Sequence, residues 1–421
     1  MSRVISAFRS RIAGLRSASD RCRSFSGIAS ESEEKQLRRG EPLLFTPGPL
    51  TTSAAVKEAM QVDLGSRDFQ MLEKTASIRR KLLAMAGTSK EDGFDAVIMQ
   101  GSGSFAVEAV VSSVVPPPAK GGRLLVLANG AYGERIAAMA NKAGIDVEIS
   151  RVGETEAFTA AEAERAIAEG GANYSHVAIV HHETTAGVLN PIREVGAVVR
   201  ERLPGASFFV DSMSAFGAYD VNMERDNVDY LVSSANKNIE GVPGFSFAIC
   251  NRKLLERDGV HARTVTLDLL EQLKGLESNG QFRFTPPTHA LLAFAQALEE
   301  HEAEGGVPGR LDRYQRNCKE LLSGMAELGF DAYVPDEHRG CVINTFVFPD
   351  DSNFDFPQFY TGLAERGIVI YPGKLTGMDC FRIGSIGRLY ESDMAALVVA
   401  VREVLEEMQV TLPVTQIAVA D

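Results

Sequence analysis

A lysine that ends an apolar strand is the first residue in this chain with chemistry to offer. Tyr230-Leu-Val-Ser-Ser-Ala-Asn-Lys237 stops at Lys237, and Gly241, Pro243 and Gly244 follow in a turn. Small neighbours and a stiff turn suit an amine that must be placed accurately and kept partly dry, as a Schiff-base lysine must. A solvated lysine is the competing reading. Asp211 closes the segment Ser207-Phe-Phe-Val-Asp211, behind three large apolar residues. A carboxylate buried there needs a cationic partner, because burying one alone is costly. The protonated nitrogen of a pyridine ring would serve, and a helix or turn cap is the alternative. One strand-to-strand excursion separates Asp211 from Lys237, so both can face one pocket.

A third segment, Gln100-Gly-Ser-Gly-Ser-Phe-Ala-Val-Glu108, lies where a strand hands over to a helix. Gly101 and Gly103 let the backbone approach a ligand, Ser102 and Ser104 offer hydroxyls, and the helix N-terminus favours an anion. A phosphate cradle and a serine-capped tight turn both account for it, and it is neither a Walker loop nor G-x-G-x-x-G.

These residues must be carried by alternating strands and helices. From Asp95 the pattern predicts strands at 96–100, 123–128, 147–152, 176–181, 207–210, 230–233 and 245–250. Helices are predicted at 104–115, 132–143, 159–169 and 192–203. Such alternation implies an α/β fold, a large domain whose mostly parallel sheet is flanked by helices, with ligands gathered at the carboxyl ends of strands. Leu43-Leu-Phe-Thr-Pro-Gly-Pro-Leu50 reads as an extended arm before a helix beginning near Thr52. Two long helices, 290–304 and 311–328, lead to a smaller α+β C-terminal domain with strands at 342–348, 368–371 and 380–383 and helices at 356–366 and 391–408. The expected division is 1–30 leader, 31–60 linker and arm, 61–300 large domain and 301–421 small domain.

Composition narrows the function classes. The net charge of −13 argues against general nucleic-acid binding, which needs clustered Lys and Arg. No apolar run reaches the roughly 18 residues that span a bilayer. Five scattered cysteines without CxxC spacing indicate neither a disulfide framework nor a metal site. His181 and His182, adjacent on a strand, point to opposite faces and make a poor metal pair. Residues 1–30 hold six arginines, eight serines and one acid, the composition of a mitochondrial transit peptide, with a disordered basic tail as the alternative.

The stretches LLFTPGPLTTS, QGSGSFAVEAV, NGAYGER, HHETTAGVLNPI, VDSMSAFG, SSANKNIEGVPGF, RFTPPTH, VIYPGK and CFRIGSIG, spread over residues 43–410, resemble the fold-type I, class V aminotransferases dependent on pyridoxal 5'-phosphate. Within that family the resemblance is to the branch that exchanges an amino group between 2-aminoethylphosphonate and pyruvate. A branch working on alanine with glyoxylate, or serine with pyruvate, is the alternative. The resemblance implies that Lys237 bonds the cofactor and Asp211 pairs with its ring nitrogen, while Ser102, Gly103 and Ser104 hold its phosphate. Tyr132 would stack on the ring, Thr184 would contact its phenolic oxygen, and Thr285 would reach the phosphate of a neighbouring subunit, which implies a homodimer. Arg382 is the implied anchor for the substrate's acidic end, with Gly48 and Pro49 of the arm beside it. Two positions depart from bacterial members of the branch: Arg388 stands where they carry an acidic residue, and Gly65-Ser-Arg-Asp68 where they carry an Asp-rich stretch.

Overall fold

The computed structural model describes residues 31–32, 40–171, 173–373, 375 and 378–417 of the 421. The leader expected at residues 1–30 lies outside them. The arm contributes β1 (Leu43–Leu44) and α1 (Ala54–Ala59), and α2 (Phe69–Met85) leads into the alternating region. There follow β2 (Phe94–Gln100), α3 (Gly103–Val114), β3 (Arg123–Ala128), α4 (Ala131–Lys142), β4 (Asp146–Arg151), α5 (Ala160–Glu169) and β5 (His176–Val180). A hairpin of two-residue strands, β6 (His182–Glu183) and β7 (Val188–Leu189), precedes α6 (Ile192–Arg202), β8 (Ser207–Asp211), β9 (Tyr230–Ser234) and β10 (Phe245–Asn251). Helices α7 (Arg252–Asp258), α8 (Leu269–Asn279), α9 (Thr288–Ala303) and α10 (Gly306–Glu327) then cross to the C-terminal part. It comprises β11 (Ile343–Val347), α11 (Phe356–Glu365), β12 (Ile368–Val369), β13 (Tyr371–Pro372), β14 (Cys380–Gly384) and α12 (Glu391–Glu407).

Seven strands build the main sheet in the order β2-β10-β9-β8-β5-β3-β4, parallel except for β10, which runs against both neighbours. The sheet's interior strands are apolar on both faces because both faces are covered. Alternate residues enter opposite cores: Phe208 and Val210 pack in one layer, Phe209 and Val232 in the other. Truncating either phenylalanine to alanine would cost about 3–5 kcal/mol. Edge strand β4 is only partly buried. The smaller sheet, β11-β14-β13, places Arg382 opposite Thr345 on one side and Tyr371 on the other. A cluster of Phe45, Phe330, Phe346, Phe359 and Phe381 packs this lobe, so the arm belongs to its core.

Helices α7 and α8 and the β6–β7 hairpin were not anticipated, and two further features differ from the sequence reading. Helix α2 falls where no helix was expected, because its inward stripe is interrupted by Thr75 and Arg79. Arg79 is tolerated inside because Nη2 meets the buried Asp95 at 2.6 Å and Nε donates to the Ala96 carbonyl at 2.8 Å. The single strand expected at 368–371 is two. Ile368–Val369 pairs with β1 of the arm and Tyr371–Pro372 with β14.

Candidate active site

The carboxyl ends of β2, β3, β8 and β9 converge on a cavity of about 280 Å³, lined in part by Ser102, Ser104, Tyr132, Asp211, Lys237 and Gly48. Strand β2 ends at Gln100, and Gly101, with φ +104, turns the chain so that Ser102 becomes the N-cap of α3. The Ser102 side chain makes no capping bond, which leaves its hydroxyl and the first N–H groups of the helix for a ligand. Gly103 sits tightly packed: a Cβ there would lie 2.3 Å from the Met213 sulfur, so that side chain would have to move.

Lys237 and Asp211 share this cavity without a direct ion pair. Asp211 Oδ1 accepts the Met213 N–H at 3.0 Å, while Lys237 Nζ donates to the Pro47 carbonyl at 2.7 Å. Burial raises Asp211 to about 7, opposed by the Met213 hydrogen bond and by the charges of Lys237 and Arg135. Burial lowers Lys237 to about 8, opposed by Asp211 and assisted by the positive charges of Arg382 and Arg135. Both groups are therefore pushed toward neutrality, which makes the amine more available as a nucleophile and leaves Asp211 in need of a cation beside it to stay ionised.

The shift at Lys237 has a measurable consequence. Only the neutral amine attacks a carbonyl carbon, and its fraction rises through the folded-state value. The rate of reductive alkylation of Lys237 by an aldehyde should climb about five- to sixfold between pH 7 and 8 and level off above about pH 9. A rate still climbing through pH 10 would show an ordinary, solvated lysine.

The arm closes over the amine. Gly48, with φ +118, passes so near Lys237 that a Cβ would lie 2.7 Å from Cδ and 2.9 Å from Nζ. Gly48→Ala must displace either the arm or the amine, and misplacement on this scale costs about 10²-fold in turnover. Steady-state rates should fall accordingly while circular dichroism stays unchanged.

Arg382 is 2% exposed. Its Nε donates to the Pro372 carbonyl at 3.0 Å and its Nη1 to the Thr184 carbonyl at 2.7 Å, and the guanidinium lies 5.3 Å from the Tyr371 ring centre. Neither bond uses Nη2. Carbonyl acceptors fix its direction without neutralising it, so an anion has a charge left to pair with. Tyr132 opens α4, and Arg135, one turn on, lies 4.7 Å from its ring centre. Sequence reasoning missed Arg135, although its spacing of three from Tyr132 places both on one helical face.

Other residues singled out in the sequence lie outside this cavity wall. Thr285 is exposed, its carbonyl held by Gln100 Nε2, and is not part of this protomer's cavity wall. Pro49 stands beside Gly48 and its carbonyl accepts the Thr46 hydroxyl at 2.6 Å. Arg388 is 2% exposed, with its backbone N–H on the Thr51 carbonyl at 2.8 Å and its guanidinium 5.9 Å from the Tyr390 ring centre. It belongs to the interior of the arm–lobe contact. His181 Nδ1 lies 3.1 Å from Ser212 Oγ and His182 stacks on Tyr219.

Known proteins share both the sequence and the fold. Residues 52–389 match the family described as aminotransferase class-V. The 2-aminoethylphosphonate–pyruvate transaminase of Salmonella typhimurium is 46% identical over 362 residues, covering 86% of this chain and 96% of that protein. That of Salmonella heidelberg is 45% identical over 369 residues, covering 87% and 98%. Among solved structures, an alanine–glyoxylate aminotransferase from Nostoc sp. superposes with a TM-score of 0.78 at 25% identity, covering 87% of this chain and 95% of that one. An aspartate aminotransferase from Thermus thermophilus superposes at 0.75, also at 25% identity, covering 87% and 99%.

Proposed function

The chain belongs to the class-V aminotransferases, and from that premise we propose that it transfers the amino group of 2-aminoethylphosphonate to pyruvate, giving phosphonoacetaldehyde and L-alanine. The observation that carries the substrate assignment is the 46% identity over nearly the whole length of a transaminase named for this pair. The alanine–glyoxylate relative shares the fold at only 25% identity.

The cavity residues fit pyridoxal 5'-phosphate. An amine whose pKa burial has lowered, a buried carboxylate without an ion-pair partner in the cavity, and a helix N-terminus opened by Gly103 stand around one space. Bound there, the cofactor would supply an electrophilic carbon for the amino group and a cationic ring that draws electrons from the donor carbon. Asp211 would hold the proton on the ring nitrogen, Ser102, Gly103 and Ser104 the phosphate, and Tyr132 one face of the ring. Thr184 would meet the phenolic oxygen. Lys237 would hold the cofactor through its amine, and its freed Nζ would serve as the base that moves the proton of the carbon bearing the donor nitrogen, in either direction of the transfer. Arg382 pairs with the phosphonate in one half-reaction and with the pyruvate carboxylate in the other, since its fork can donate to either oxygen pair. Gly48 and the Pro47 carbonyl cover the amine, and Pro49 continues the arm beside them.

The reading extends to assembly and address. The half-exposed Phe105 and Phe284 are aromatic surface near the cradle that a second copy would cover, and Thr285 stands beside Phe284 to complete the partner's phosphate site. This exposed aromatic surface supports assembly as a homodimer. The arginine- and serine-rich residues 1–30 support delivery to mitochondria.

Phosphorus NMR of the protein with cofactor, 2-aminoethylphosphonate and pyruvate tests the activity. The donor resonance should be replaced by that of phosphonoacetaldehyde, with alanine appearing mole for mole. An unchanged donor signal beside active transfer from another amine would contradict the assignment.

A further inference from the structure

The start of α4 is held by another part of the chain. Its N-cap, Gly130, has no side chain to accept the first N–H groups, and no cap bond is made there. The turn Glu183-Thr184-Thr185 supplies what is missing. Glu183 Oε2 accepts the N–H of Tyr132 at 3.1 Å and of Gly133 at 3.3 Å. Oε1 accepts the Thr185 N–H at 3.0 Å and the Thr185 hydroxyl at 2.6 Å. That hydroxyl oxygen accepts the Ala131 N–H at 2.8 Å. Three consecutive donors of the first helical turn are thus satisfied by two side chains of one hairpin, and the buried anion lies where the helix dipole favours it.

Space enforces the arrangement. Glu183 is fully buried, and a Cβ on Gly130 would come within 2.6 Å of its carboxyl carbon and 2.8 Å of the Thr185 hydroxyl. The residue between the two, Thr184, offers its carbonyl to Arg382 Nη1 at 2.7 Å. One turn therefore touches the helix that carries Tyr132 on one side and the guanidinium from the small lobe on the other.

We propose that Glu183 is a positioning residue of the transfer site: its carboxylate fixes the start of α4, and with it Tyr132, against the turn whose next carbonyl aims Arg382. The proposal rests on the reading above, in which Tyr132 meets the cofactor ring and Arg382 the substrate's acidic end. Glu183 touches neither ligand and acts through these two residues. It also adds a negative field at Asp211.

Glu183→Gln tests this, because the amide keeps the shape but turns an NH2 group toward N–H donors. Three quantities are read on wild type and variant: the dissociation constant of pyridoxal 5'-phosphate by absorbance titration, the calorimetric affinity for ethylphosphonate, which carries no amine, and KM against kcat for 2-aminoethylphosphonate. The expected result is weakening of cofactor and ethylphosphonate binding by about tenfold each, with KM raised alike and kcat at saturation falling less. Thr185→Val, which removes one of the four bonds and the Ala131 cap, should shift the same three quantities in the same direction by a smaller factor, and it decides the matter alone if the glutamine variant does not fold. Both affinities within twofold of wild type, or a loss of kcat with KM and both affinities unchanged, would overturn the proposal. Inactivity of the wild type toward 2-aminoethylphosphonate would instead overturn the substrate assignment, and the cofactor titration would still decide on Glu183.

Discussion

Replacing Lys237 with alanine is expected to reduce kcat by about 10⁴-fold or more, because one nitrogen is lost from two tasks, bonding the cofactor and carrying the proton. The fold should survive. Lys237 contributes one hydrogen bond, to the Pro47 carbonyl, and its burial disfavours the charged amine, so truncation relieves about as much as it removes. Borohydride treatment of the loaded wild type should leave a pyridoxyl mass on the peptide carrying Lys237, and none on the variant. Lys237→Arg should be no better than alanine, since a guanidinium stays protonated at any working pH and cannot accept the carbon's proton. Normal turnover by either variant would remove Lys237 from the mechanism.

Asp211→Asn should lower kcat by about 10²–10³-fold, the loss typical when a preorganised charge is taken from a developing one. The same change should stabilise the cofactor-free protein, and the sign follows from the shift. The folded-state value of Asp211 is raised to about 7, above an unfolded value near 3.9, so the folded chain holds the proton more tightly. The resulting penalty is absent below about pH 4, grows as pH rises toward 7 and is complete above it. Removing the carboxylate therefore gains stability at pH 8, of the order of 2–4 kcal/mol, and nothing at pH 4. Denaturant midpoints of the two cofactor-free proteins at these pH values measure it. A variant less stable at pH 8, or equally active with cofactor, would contradict the role given to Asp211.

The residues readable from the sequence are those that terminate strands. Lys237, Asp211 and the Gly101–Ser104 turn each follow a short apolar run, and a parallel sheet delivers such positions to one edge. The arm could be read from its prolines and glycine. Its closeness to Lys237 could not, because Pro47 and Lys237 are 190 residues apart and meet only through the fold. Glu183 escaped for a similar reason. Its strand is two residues long, and its partners belong to a helix that looks complete in sequence until Gly130 is seen to leave its first donors uncapped. Helix α2 was hidden by Arg79 and Thr75, polar residues on an inward face, and the ion pair that accommodates Arg79, with Asp95, is made across the fold.

The amino donor is decided by competition. With pyridoxal 5'-phosphate bound and pyruvate as acceptor, kcat/KM should be at least about 10²-fold higher for 2-aminoethylphosphonate than for L-serine, and the enzyme should show no efficient transfer from L-alanine to glyoxylate. Efficient alanine–glyoxylate exchange with no use of 2-aminoethylphosphonate would contradict the phosphonate assignment while leaving Lys237 and Asp211 in their places.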